Sequence, residues 1–163
     1  MFFRKIFVFL IVFSAPLLLF GKESLLSSIL NEEKETPKLI LVIIDEQIMM
    51  GYEYGKLKFS YSISSGVEEG LSPDHVLNDL GDCSTPRGRF SVFYKSEYHI
   101  SSIYGDPMPW MLAFTRRGHC IHGGELPGYP ASHGCVRLAG ENAERVFYWA
   151  DIGTVVLIVD SLK

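Results

Sequence analysis

The stretch that most constrains the fold is "KLILVIID", residues 38–45. It is an unbroken apolar run of strand length, suited to a strand covered on both faces. Gln47 to Tyr54 forms a second short run, and Gly55 offers a turn. "KLKFSYSISSG" then alternates: Leu57, Phe59, Tyr61 and Ile63 point one way, Lys56, Lys58, Ser60 and Ser62 the other. That is the period of a half-buried strand, and the three runs together predict an antiparallel meander. Further on, Pro86 and Gly88 supply turn chemistry, and Phe90, Val92 and Tyr94 alternate as a strand. Strand-like pieces recur at His99–Ile103, Met111–Phe114, Gly118–Ile121 and Thr154–Val159.

Only one helix is convincing within this domain. In "ENAERVFYWADIG", Ala143, Val146, Phe147 and Ala150 fall on one face, and Gly153 is placed to end the element. Residues 66–85 are polar and form a long loop, with a short helix expected after Ser72 and Pro73. A loop of that length in a small domain is functional or mobile. The 163 residues suffice for one domain with a real core. The reading is a mainly β domain with one covering helix.

The N-terminus, "MFFRKIFVFLIVFSAPLLLFGKES", places Arg4 and Lys5 ahead of an apolar stretch from Ile6 to Phe20. That stretch is shorter than the roughly 20 residues of a membrane span. It has the layout of an export signal over residues 1–21, directing the chain to the periplasm or cell envelope. An uncleaved anchor, with N-terminal membrane association, is the alternative. Residues 22–37 are expected to be a linker, with Leu25, Leu26, Ile29 and Leu30 as one apolar stripe on a short helix and Glu32 to Glu35 as a solvated charge run. The domain proper is placed at 38–160. With a formal charge of −4 and no basic run, the composition excludes a nucleic-acid binder.

The chemistry gathers in "HGGELPGYPASHGCVRL", His122 to Leu138. Free cysteine is commonly a buried filler, yet Ser132, His133, Gly134 and Arg137 are not the neighbours of a core position. Cys120, His122, His133 and Cys135 could be assembled as a metal site, since both pairs have i, i+2 spacing that puts each on one strand face. No CxxC or His-x3-His pair supports that reading. A nucleophile fits better. A thiolate needs its pKa lowered or a base nearby, and an imidazole does either. Backbone N–H groups at the Gly134 turn can stabilise an oxyanion, and Arg137 can grip a carboxylate. Spacing alone leaves His122 and His133 both eligible as the base.

"IHGG...SHGCVRL" resembles the active-site signature of the L,D-transpeptidase catalytic domain family, enzymes that cross-link peptidoglycan with a cysteine nucleophile. "STPRGRF", "GDPMPWMLAFT" and "ENAERVFYWADIGTVVLI" resemble other pieces of that domain, so the likeness runs from about Lys38 to Val159. The resemblance implies a β-sandwich of mixed sheets with a C-terminal covering helix. It implies Cys135 as nucleophile and His122 as base, with a backbone carbonyl at Gly123 orienting the imidazole. Gly134 and Cys135 would give oxyanion N–H groups; Ser132, His133 and Arg137 would meet the substrate. The partners implied are peptidoglycan stem peptides, with no metal or organic cofactor and a monomeric enzyme. The interval from His122 to Cys135 is short for the family, implying a reduced lid.

Rival readings are a hydrolase on the same scaffold, an L,D-carboxypeptidase or amidase, and a non-catalytic peptidoglycan-binding module. A papain-like peptidase fits less well, because there the cysteine precedes the histidine. Three cysteines in an exported chain leave an odd one. If Cys135 stays reduced, a Cys83–Cys120 disulfide is the pairing left. His75, His99 and His119 are expected at the surface, and Tyr104, Trp110 and Tyr129 are candidate substrate platforms.

Overall fold

A computed structural model describes residues 16–67 and 83–162. The h-region up to residue 15, His75 and the short helix expected after Pro73 lie outside the described residues, as does most of the long loop. In chain order the elements are α1 (Pro16–Glu32), β1 (Lys38–Ile43), β2 (Ile48–Glu53), β3 (Lys56–Ser62), β4 (Gly88–Ser91), β5 (Tyr94–Ser96), β6 (Met111–Ala113), β7 (Cys120–Gly123), β8 (Val136–Leu138), α2 (Gly140–Trp149) and β9 (Val155–Val159).

The strands form two mixed sheets. The first has the order β3-β2-β1-β9-β4, the second β5-β6-β7-β8. The β1–β2–β3 meander is antiparallel, as its alternation predicts. β1 then pairs in parallel with β9. A parallel pair needs a long crossover, and here the crossover contains the whole second sheet and α2.

β1 explains why its sequence carries no polar face. Ile40, Val42 and Ile44 point into the main core, with Val156 and Ile158 beside them and Leu112, Phe114, Ile121, Val136 and Leu138 of the second sheet opposite. Ala143, Val146, Phe147 and Ala150 close the core from the α2 side. Leu39, Leu41 and Ile43 point the other way, into a second cluster with Tyr52, Val155 and Leu162.

That second cluster corrects the reading of residues 22–37 as a linker. α1 runs to Glu32, and Leu26, Ile29 and Leu30 pack against the outer face of the first sheet. Burying an aliphatic side chain is worth about 1.5–3 kcal/mol, so an apolar sheet face retains a matching helical stripe. Glu33 follows the helix and pairs with Arg89 of β4. Among the described residues no helix is long and apolar enough to cross a membrane.

Three other elements differ from expectation. The strand read through Phe90, Val92 and Tyr94 is two strands in two sheets. β4 pairs with β9, and two residues later Phe93 N–H bonds Ala113 O, so the chain turns the corner of the sandwich here. The piece at 99–103 is not a strand of either sheet. It folds on itself through an isolated Ile100–Pro107 bridge, and Ile100 and Ile103 stay exposed. α2 stops at Trp149 rather than running to Gly153. Its C-terminal carbonyls are taken by lysines from strands: Lys95 Nζ bonds Phe147 O and Ala150 O, and Lys38 Nζ bonds Trp149 O. Cations at a helix C-terminus satisfy both its open acceptors and its dipole. Burial in that position pulls the Lys95 pKa down.

Candidate active site

The second sheet sends alternate residues to opposite faces. Ile121, Val136 and Leu138 enter the main core, so Cys120, His122, Cys135 and Arg137 share the other face. β7 and β8 are parallel, in the register Ile121–Val136 and His122–Arg137. One residue earlier, that register sets Cys120 against Cys135. The two Sγ atoms are 3.5 Å apart, and a His122 ring nitrogen lies within 4.8 Å of both.

His122 is buried, and its Nδ1–H donates to the Gly123 carbonyl at 2.9 Å. A carbonyl only accepts, so the proton sits on Nδ1 and the second ring nitrogen is left for chemistry. Gly123 itself is held by its N–H to Pro109 O. Its own packing is tight: a Cβ there would stand 3.2 Å from the Pro109 ring and 3.4 Å from Ala143.

The Cys135 pKa is pulled well below the ordinary thiol range. The main cause is a hydrogen bond from Cys120; burial opposes it, and the hydrogen bond and charge of His122 add to it. Cys120 is pushed up by the same contact, by burial and by the Cys135 charge. The pair therefore ionises at Cys135, with the Cys120 S–H as donor to the thiolate.

The nucleophile turn is built by close backbone approach. Gly134 has φ +108, and a Cβ there would stand 2.9 Å from His119 Cδ2 and 3.3 Å from Ser84 O. Gly66 crosses directly behind, where a Cβ would meet Cys83 O at 2.1 Å and Gly134 Cα at 2.6 Å. Two glycines pass each other where no side chain fits. The segment 64–67 is stitched to the turn by the pairs Ser64–Arg137 and Gly66–Ser132. Gln47 holds that segment through Ser65 N–H and Ser65 Oγ, and Thr85 Oγ1 accepts from Gly66 N–H.

Several expected roles change. The Ser132 hydroxyl is buried inside the turn, donating to Cys135 O and accepting from Gly134 N–H. It shapes the loop rather than facing a substrate. Gly134 N–H is thereby bonded inside the turn. His133 does not join the cysteines; its ring stacks on Tyr104 at 4.2 Å. The four-residue metal reading therefore reduces to Cys120, His122 and Cys135. Arg137 lies half-buried beside His122, its stem against Gly124. His119, read as a surface residue, sits under the Gly134 turn with Nδ1 2.8 Å from Thr115 Oγ1. Trp110 belongs to an aromatic cluster with Tyr98, Phe147 and Tyr148.

None of the three cysteines is disulfide-bonded. Cys83 packs with Val67 in a cluster of its own, while Cys120 faces Cys135. The Cys83–Cys120 pairing suggested by the odd count is thus not the one the fold prepares. A count cannot register which thiols the sheet brings together.

A family profile for the L,D-transpeptidase catalytic domain matches residues 37–158. Among solved structures, an L,D-transpeptidase from Xylanimonas cellulosilytica is 32% identical, covering 75% of this chain and 60% of its own at TM-score 0.63. One from Stackebrandtia nassauensis is 20% identical over 90% of this chain and 68% of that one, at TM-score 0.65. L,D-transpeptidase 3 from Mycobacterium tuberculosis, in complex with a faropenem-derived adduct, is 21% identical over 76% of this chain and 60% of that one, at TM-score 0.61. The chain spans about three-fifths of the length of the first solved relatives it matches. No curated protein matches it. The profile over residues 37–158 places the chain in the L,D-transpeptidase catalytic domain family.

Proposed function

We propose that the protein is an exported L,D-transpeptidase that acts through a Cys135 thioester. The observation that carries this is a cysteine with a depressed pKa beside a histidine whose Nδ1 is fixed by a backbone carbonyl. The Cys135 thiolate, its proton passed to the free ring nitrogen of His122, attacks the carbonyl of the third residue of a peptidoglycan stem tetrapeptide. The bond to the terminal D-Ala breaks, and His122 gives that leaving amine its proton. An amine of a second stem, deprotonated by His122, then takes the acyl group and frees the thiolate. Cys135 N–H is the turn's donor for the oxyanion, because Gly134 N–H is bound to Ser132. Arg137, next to His122 on the same face, binds the carboxylate of the stem. His133 and Tyr104 form the wall. The reaction needs no cofactor, and the enzyme works as a monomer in the periplasm or cell envelope.

The test uses the purified chain and a disaccharide-tetrapeptide. A dimer lacking one D-Ala supports cross-linking. Tripeptide alone makes water the acceptor and the protein an L,D-carboxypeptidase. The adduct on the M. tuberculosis structure suggests a second probe, a penem or carbapenem read by mass spectrometry. No product and no adduct would reject the enzymatic reading.

A further inference from the structure

Acyl transfer uses one thiol, and this site holds two. Cys120 is fully buried, with its Sγ 3.5 Å from the Sγ of the more accessible Cys135. Cys135 lies just ahead of β8, after a glycine, where the chain is a turn and not a paired strand.

We propose that Cys120 is a resolving thiol: when a hydroperoxide oxidises Cys135, Cys120 captures it as a reversible Cys120–Cys135 disulfide. In the first step the Cys135 thiolate attacks the terminal oxygen of the hydroperoxide. The O–O bond breaks, Cys135 becomes a sulfenic acid, and the departing alkoxide takes a proton from His122 to leave as an alcohol. In the second step His122 accepts the Cys120 proton. The Cys120 sulfur attacks the Cys135 sulfur, the S–O bond breaks, and the hydroxide takes that proton to leave as water. Two thiols lose two electrons in all, and the hydroperoxide is reduced to alcohol and water.

Geometry places each participant, since one His122 ring nitrogen is within 4.8 Å of both sulfurs. The timing also follows. Cys120 holds its proton tightly because it donates to a charged neighbour, and oxidation of Cys135 removes that charge. Without a nearby thiol, a sulfenic acid proceeds to sulfinic acid, which thiol reductants do not reverse. Cys83, in its separate cluster with Val67, stays outside the exchange.

The inference needs the two sulfurs and His122, not the transfer reaction, so its test reads mass rather than turnover. The full chain is treated with hydrogen peroxide, its remaining thiols are alkylated, and it is mapped without reduction. The expected result is the loss of two hydrogens, a linked Cys120–Cys135 peptide, and recovery of both thiols with dithiothreitol. In Cys120→Ser, Cys135 should instead reach sulfinic acid and stay there after dithiothreitol. A wild-type map with no such link, a link through Cys83, or equal sulfinic acid in both proteins overturns the proposal. Should Cys120→Ser not fold, the wild-type map decides alone.

Discussion

In β1, Leu39, Leu41 and Ile43 face α1 while Ile40, Val42 and Ile44 face the main core; in β7, Ile121 faces the main core while Cys120 and His122 face away from it. The same two-residue period serves burial twice in the first sheet. In the second it serves burial once and chemistry once. The first sheet has five strands, with partners along the length of β1. The second has strands of three or four residues, and it depends on α2 behind it and on segment 64–67 at its side. Reactive groups thus stand on a thin sheet whose rigidity is borrowed. Chemistry and stability therefore separate by face, except where the nucleophile turn joins them.

Replacing Cys135 tests the chemical face. Cys135→Ala should remove all turnover and all penem adduct, while the melting temperature stays close to that of the parent. His122→Ala should match it in activity, and His133→Ala should be milder. If His133→Ala is inactive and His122→Ala is not, the roles of the two histidines are reversed.

On the burial face, Ile40→Ala should cost about 2–5 kcal/mol, measured by denaturant unfolding. The protein that stays folded should keep its turnover. A variant that is stable yet inactive would mean the core positions the thiol more directly than the two faces suggest.

Gly134→Ala should break the separation. The left-handed backbone costs a side chain about 1–3 kcal/mol, and the new methyl meets His119 and Ser84. Both stability and turnover should fall together. An active Gly134→Ala would show that the turn tolerates a shift of the nucleophile.

The pH response sharpens the chemical side. With its pKa depressed by Cys120 and His122, Cys135 should react with iodoacetamide well below the ordinary thiol pKa of about 8.5. The rate should fall only as pH drops through the lowered pKa. Cys120→Ala should move the alkylation profile to higher pH, because the largest cause of the shift is removed.

Much of this was readable in the chain. The two-sided apolar run of residues 38–45 fixes β1 inside a sheet, and the i, i+2 spacing of Cys120 with His122 puts both on one strand face. Parallel pairing of β7 with β8 was not readable, since register between distant strands leaves no local pattern; this is why the Cys120–Cys135 contact escaped a count of cysteines. Gly66 and Thr85 read as the ends of a polar loop, and Ser64 and Ser65 as the tail of an alternating strand. They are buried all the same, with hydrogen bonds to Gln47, the turn and one another replacing water. His119 escaped for the same reason: its partner Thr115 is local, but the Gly134 turn it supports is fifteen residues away in sequence.

The smallest effect concerns the helix on the outer face. α1 is held by two kinds of contact, the Leu26–Ile29–Leu30 stripe and the Glu33–Arg89 ion pair. Glu33 is nearly covered and its pKa is lowered, chiefly by the Arg89 hydrogen bond, while the Arg89 side chain is 58% exposed. An ion pair that wet on one side contributes at most about 1 kcal/mol. Arg89→Ala should therefore change stability by less than Leu30→Ala, and neither should alter turnover, because the outer face of the first sheet is the one farthest in role from Cys135. Limited proteolysis after α1 measures docking directly. If Arg89→Ala releases the helix and Leu30→Ala does not, charge rather than apolar burial holds that face, and the first sheet no longer spends both sides on its core.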